Sequence, residues 1–86
     1  MMAVAAGVLE VIGVTFRCPA SSLSRATVAE DIDGWDSLSH AVLIMRIEQH
    51  FRVRLDAGAA FDVDNVGALI DLVAASIAPG VHPITG

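Results

Sequence analysis

Three apolar runs, at residues 2–16, 37–51 and 66–78, are each too long for an ordinary strand and are separated by stretches rich in Ser, Pro, Gly and Asp. A chain patterned this way folds as packed helices. The residues filling the runs agree, being mainly Ala, Val, Leu and Ile, with Ala and Leu strong helix formers. The aromatic residues are Phe16, Trp35, Phe51 and Phe61. Eighty-six residues leave room for one core only. A chain of that size buries only about 60–65% of its unfolded surface, so its packing must be efficient. The 55% hydrophobic content supplies that packing, and the expectation is a small all-α four-helix bundle.

The boundaries follow from local chemistry. The first helix is predicted from about Met2 to Phe16 and stops before Cys18-Pro19, because a residue before proline is driven out of the α region. Residues 19–36, PASSLSRATVAEDIDGWD, read as a long ordered first loop. Within it Leu23, Val28 and Ile32 are candidate core anchors, and Glu30, Asp31, Asp33 and Asp36 crowd its end. Loops this long in a compact domain are often functional. Asp36 is a good N-cap for a second helix, SLSHAVLIMRIEQHF, ending at Phe51. RVRLDAGAA reads as a connector broken at Gly58, and AFDVD as one helical turn, the short third helix. Asp64 or Asn65 caps the last helix, VGALIDLVAASIA, which Pro79-Gly80 stops. The domain is thus expected over residues 1–78, with a disordered tail over 79–86.

Charge and targeting signals narrow the function classes. Five basic and ten acidic residues give a net charge of −5, so nucleic acid is a poor partner and basic patches on other proteins are better ones. The single Cys18 cannot form an internal disulfide. Residues 1–16 resemble the apolar part of a signal peptide, but no Lys or Arg precedes the run and Glu10 interrupts it. The run is also shorter than the roughly 20 residues needed to cross a bilayer. A core helix, no membrane association, a monomer and a cytoplasmic location are expected.

The second helix carries two apolar stripes at about 100° per residue. Leu43, Ile44, Ile47 and Phe51 form one arc, and Leu38, Ala41, Val42 and Met45 another roughly opposite. A small bundle normally buries one stripe per helix. Either this helix is covered on both sides, or the second stripe meets partner proteins, for which flexible Met is well suited.

Chemistry concentrates in Asp31-Ile32-Asp33-Gly34-Trp35-Asp36-Ser37-Leu38-Ser39-His40. Ser37 falls in the first turn of the second helix, where unpaired N–H groups and the positive end of the helix dipole would stabilise a phosphodiester. Serine at a helix start is also commonly structural, and the residues alone leave both readings open.

Asp36-Ser37-Leu38, with an acidic loop ahead and an apolar helix behind, resembles the attachment motif of acyl carrier proteins. The resemblance runs from about Val8 to Ile77. It includes Ile47-Glu48-Gln49-His50-Phe51, Leu55, the turn at Val63, and Asn65-Val66-Gly67-Ala68-Leu69-Ile70, all in register. It implies a four-helix bundle of acyl-carrier type, without catalytic residues. In it Ser37 bears a 4'-phosphopantetheine arm donated by coenzyme A through a phosphopantetheinyl transferase, with Asp36 and Leu38 flanking. Acyl groups would ride on the arm as thioesters for acyl-loading, ketosynthase or acyltransferase-type enzymes in fatty acid, polyketide or related biosynthesis. By position, Leu43, Ile47, Ala60, Phe61 and Val63 would line an acyl cavity, unless all five are core. Leu38, Ala41, Val42 and Met45, with Trp35, would form the partner face. The family often carries acids along this helix. Here Ser39, Val42 and Gln49 stand instead, with Arg46 and His50 added, which implies a dedicated partner reading an apolar surface.

Competing readings of the same residues are weaker. Asp36, Ser37 and His40 lie within one helical turn, whereas hydrolytic triads gather residues from separate elements. His40 and His50 are too far apart along one helix to share a metal with Asp36 or Cys18. The acidic loop lacks the ordered spacing of a calcium loop. Trp35 either pins the loop to the bundle or serves as a partner hot spot. A carrier fold used only for protein interaction would not need the serine. A peptidyl or aminoacyl carrier more often shows His before it.

Overall fold

The computed structural model describes residues 4–77, which fold into four α-helices: α1 (Val4–Phe16), α2 (Ser37–Phe51), α3 (Ala57–Phe61) and α4 (Val66–Ser76). Residues 2 and 3 of the expected first helix, residue 78 of the last and the tail over 79–86 lie outside the described residues. α1 packs on α2 and α4, and α3 bridges α2 and α4. Among the described residues no helix is long and apolar enough to cross a membrane.

One face of each long helix fills the core. α1 contributes Val8, Val11 and Ile12, α2 contributes Leu43, Ile44 and Ile47, and α4 contributes Val66, Leu69, Ile70 and Val73. Leu23, Leu55 and Ala60 close it from the connectors and α3, and Phe51 packs against it half-buried. Burying each large aliphatic side chain contributes about 1.5–3 kcal/mol.

The helix ends are fixed by named groups. Asp36, Asp56 and Asn65 cap α2, α3 and α4, each accepting a backbone N–H three residues on, from Ser39, Ala59 and Ala68. α1 and α2 end alike. Arg17 and Arg52 adopt left-handed backbone (φ 59° and 58°), and the next N–H returns to a carbonyl five residues back, Cys18 to Gly13 and Val53 to Glu48. The Glu48 carboxylate also accepts the Leu55 N–H at 2.8 Å, clamping the connector after α2 to the helix it leaves.

The third helix corrects the expectation. It spans Ala57–Phe61 rather than AFDVD, and Gly58 lies inside it instead of breaking it. The Asp56 cap starts the turn, and the buried Ala60 holds it against the core. Gly58 weakens such a turn by propensity without forbidding it.

The long connector is ordered throughout, with 3₁₀ turns at Ala20–Ser22 and Ala29–Asp31. Leu23 is buried, while Val28 and Ile32 are half-buried. The connector also serves α4, whose first N–H groups, at Val66 and Gly67, donate to the carbonyls of Thr27 and Arg25 at 2.9 and 2.8 Å. Thr27 is buried there, its hydroxyl oxygen accepting the Ser24 N–H at 2.9 Å. The exposed Arg25–Asp71 ion pair, at 2.8 Å, adds little.

Gly13 marks the tightest approach of connector to helix, since a Cβ there would lie 2.7 Å from the Cys18 carbonyl oxygen. Gly13→Ala is expected to lose about 1–3 kcal/mol through overpacking. Gly58→Ala, which meets only the Asp56 carboxylate at 3.4 Å, should gain about 0.5–1 kcal/mol. Urea midpoints of the two variants check both signs.

Candidate functional site

Ser37 is exposed at the first position of α2. The chain reaches it through a tight turn at Gly34, whose φ of 86° is a conformation that glycine adopts without steric cost. The Asp36 carboxylate then accepts the Ser39 N–H at 2.9 Å and ends the turn. That backbone hydrogen bond holds the Asp36 carboxyl below its ordinary range. The cap is therefore present above the pH at which a free aspartate protonates, and fails only as pH falls through the lower folded value. First-turn N–H groups of a helix have no partner within it, and the dipole makes this end electropositive. Ser37 thus offers its hydroxyl where a phosphodiester is stabilised.

Trp35, Phe61 and His40 line the space beside this serine. Trp35 stacks on Phe16 with centroids 4.8 Å apart, tying the connector to the end of α1. Its indole N–H donates to Nδ1 of His40 at 3.0 Å, so Nδ1 carries no proton. Nε2 then bears the proton and donates to the Ala60 carbonyl at 2.8 Å. His40 thereby joins connector, α2 and α3. Phe61 meets the imidazole edge-on at 5.0 Å. With both ring nitrogens engaged, His40 is not placed to take a proton from Ser37, which removes the triad reading.

A cleft of about 420 Å³ opens here between the connector, the start of α2 and the junction of α3 with α4. Its lining includes Ser37, Asp36, Trp35, His40, Phe61, Val63, Thr27, Glu30, Asn65, Val66 and Leu69. Of the five residues expected around an acyl cavity, Phe61 and Val63 lie on this cleft. Leu43, Ile47 and Ala60 do not, being fully buried in the core, where their apolar surface is satisfied by neighbouring helices. Of the other lining residues, Glu30 belongs to the acidic end of the loop, Asn65 to the cap of α4, and Val66 and Leu69 to the in-register match, while Thr27 carries no sequence signal; none of the five is expected around an acyl cavity.

The second stripe of α2 faces solvent. Leu38 is 76% exposed, Met45 56% and Val42 38%, while Ala41 is half-buried. Trp35, expected with this face, is instead half-buried against Phe16, because stacking and its N–H bond turn it inward. It pins the loop.

The family model described as "Phosphopantetheine attachment site" matches residues 6–73. The chain belongs to the acyl carrier protein family. Among solved structures it is similar to the solution NMR structure of holo acyl carrier protein from Geobacter metallireducens. The two are 36% identical with a TM-score of 0.79, over 90% of this chain and 88% of that one. No curated protein matches the chain. The carrier's cofactor is a covalently attached 4'-phosphopantetheine. The residues fit it, with an exposed hydroxyl at a capped helix N-terminus beside a cleft.

His40→Ala leaves the Trp35 N–H and the Ala60 carbonyl without partners. It is expected to cost about 1–3 kcal/mol and to red-shift the emission of Trp35, the single tryptophan. Denaturation followed by fluorescence checks both effects.

Proposed function

We propose that Ser37 of this carrier bears the phosphopantetheine and that the chain shuttles acyl groups between enzymes of fatty acid, polyketide or related secondary-metabolite biosynthesis, without catalysis of its own. The observation that carries this reading is the exposure of Ser37 at the capped, electropositive start of α2, in the position of the family's attachment motif. In the modification, the Ser37 hydroxyl gives up its proton as its oxygen bonds to the phosphorus bearing the pantetheine in coenzyme A. The pyrophosphate bond breaks and adenosine 3',5'-bisphosphate leaves. Once attached, the arm supplies a terminal thiol that holds acyl groups as thioesters. The chain's own residues hold the attachment point still, through the Asp36 cap and the Trp35–His40–Ala60 tie.

The partner face is Leu38, Ala41, Val42 and Met45. Its exposed apolar stripe supports this, since such patches mark interaction sites on small soluble domains. The charge around the stripe also supports a dedicated enzyme. Glu48 is the one acid within α2, and its carboxylate is engaged with the Leu55 N–H, whereas Arg46 and His50 are exposed. The acids instead lie ahead of Ser37, where they would meet basic residues around an enzyme's entrance.

Incubation with coenzyme A and a broad-specificity phosphopantetheinyl transferase should add one phosphopantetheine to the wild type and none to Ser37→Ala, read by intact mass. No addition under conditions that modify a control carrier would sink the proposal. Met45→Glu should lower the transferase's kcat/KM by about tenfold, the cost of setting a charge against an apolar contact, at an unchanged Tm. An unfolded Met45→Glu would instead make the stripe structural.

A further inference from the structure

We propose that the groove between α1 and α2 seats an amphipathic helix of a protein partner, with its carboxylates against Arg46 and His50, and that Ser37 stays open while that helix is seated. Only the second clause rests on Ser37 as the attachment residue.

α1 and α2 run antiparallel, since Phe16 meets Trp35 just ahead of α2 and Gly7 meets Phe51 at its end. Between them lies a groove of about 560 Å³, lined by Glu10, Val11 and Val14 from α1 and by Arg46, Gln49 and His50 from α2. A trough between two helices is the shape into which the side-chain ridge of a third packs. Val11 is nearly buried at its floor, while Val14 leaves 65% of its surface in solvent. One exposed valine means little alone. Here it stands opposite two basic side chains in a chain with five Lys and Arg against ten Asp and Glu.

Arg46 and His50 are one turn apart on the same face of α2, and both are exposed. The Arg25–Asp71 bridge is the one ion pair among the described residues, so Glu10 across the groove neutralises neither of them. Glu48, the one acid within α2, is engaged with the Leu55 N–H. His50 is fixed in place: a Cβ on Gly7 would lie 3.5 Å from its Nε2, and its ring meets Phe51 edge-on at 4.7 Å. The matching occupant carries an apolar row over Val14, carboxylates along the α2 wall, and a neutral or basic side chain opposite Glu10. An anionic lipid surface fits less well, because a plane would also meet the rest of a chain whose net charge is −5.

The groove shares no lining residue with the cleft beside Ser37. Arg46 lies nine residues along α2 from Ser37, about 13 Å at a rise of 1.5 Å per residue. That exceeds the screening length of about 8 Å at physiological ionic strength, so the acids ahead of Ser37 repel an acidic helix in the groove only weakly. A partner helix seated there holds the carrier by its flank and leaves Ser37 to other enzymes.

The test pans a display library of helical peptides against the purified chain, each peptide with a leucine face and with flanking positions randomised among glutamate, lysine and glutamine. The selected peptides are expected to be rich in glutamate and to bind more weakly as salt rises. They should shift the amides of Glu10, Val14, Gln49 and His50 and leave the Trp35 indole resonance in place. Arg46→Glu and Val14→Asp, both at exposed positions and checked by Tm, should each weaken binding about tenfold. Transfer of phosphopantetheine to Ser37 should run at an unchanged rate with the peptide bound. Enrichment of lysine, no enrichment, shifts confined to Leu38, Met45 or the cleft, or affinities indifferent to both variants would each overturn the proposal. Binding to phosphatidylglycerol vesicles that Arg46→Glu abolishes, with no peptide selected, would assign the groove to lipid instead. Transfer that proceeds on the bare chain and stops on the peptide-bound one would overturn the claim that Ser37 stays open. No transfer in either case would overturn the attachment reading and leave the groove as mapped.

Discussion

Val66 and Gly67 open α4 with N–H groups that no turn of their own helix can satisfy, and the carbonyls of Thr27 and Arg25 satisfy them. The rest of the structure depends on this exchange. It fixes the middle of a connector that would otherwise carry many unpaired backbone groups across one end of the bundle, and it fixes the start of α4 at the same time. With Leu23 buried on one side of that point and Trp35 stacked on Phe16 on the other, little freedom remains in the stretch that leads to Ser37. The cleft beside the serine is bounded by this connector and by the α3–α4 junction, so the same bonds set its shape.

His40 extends the arrangement to α3. A five-residue helix has too few internal hydrogen bonds to be stable by itself. Here it is held by its Asp56 cap, by the packing of Ala60 and by the bond from the imidazole. The imidazole, one turn below Ser37, thus determines where Phe61 stands.

Much of this was legible in the chain itself. The long helices announced themselves through the length of their apolar runs, and Asp36 marked the start of α2 because a cap has a local signature. The third helix was misplaced for an equally local reason. Gly58 reads as a breaker, whereas the carboxylate of Asp56, two residues earlier, caps the turn and starts it. Periodicity divided α2 into two stripes, but which one the other helices cover is decided by tertiary packing. The burial of Leu43, Ile47 and Ala60 in the core, rather than along a cavity, belongs to the same class of fact. The Thr27 carbonyl bond to Val66 and the His40 bond to Ala60 join residues distant in sequence, and such bonds leave no pattern to read.

The placement of charge has a consequence for how the molecule travels. Glu30, Asp31, Asp33 and Asp36 precede Ser37, while Arg46, Arg52 and Arg54 lie towards and just beyond the other end of α2. A fifteen-residue helix separates its two ends by about 22 Å. The side-chain charges therefore form a dipole with Ser37 near the negative pole, while the positive field of the helix terminus acts only on groups bound within its first turn. In the field of a basic entrance the domain experiences a torque that turns the serine inward before any surfaces touch. The screening length is about 8 Å at physiological ionic strength, so this alignment acts only over the last stage of approach. It raises the rate of productive encounters and leaves the lifetime of the docked complex to the apolar stripe.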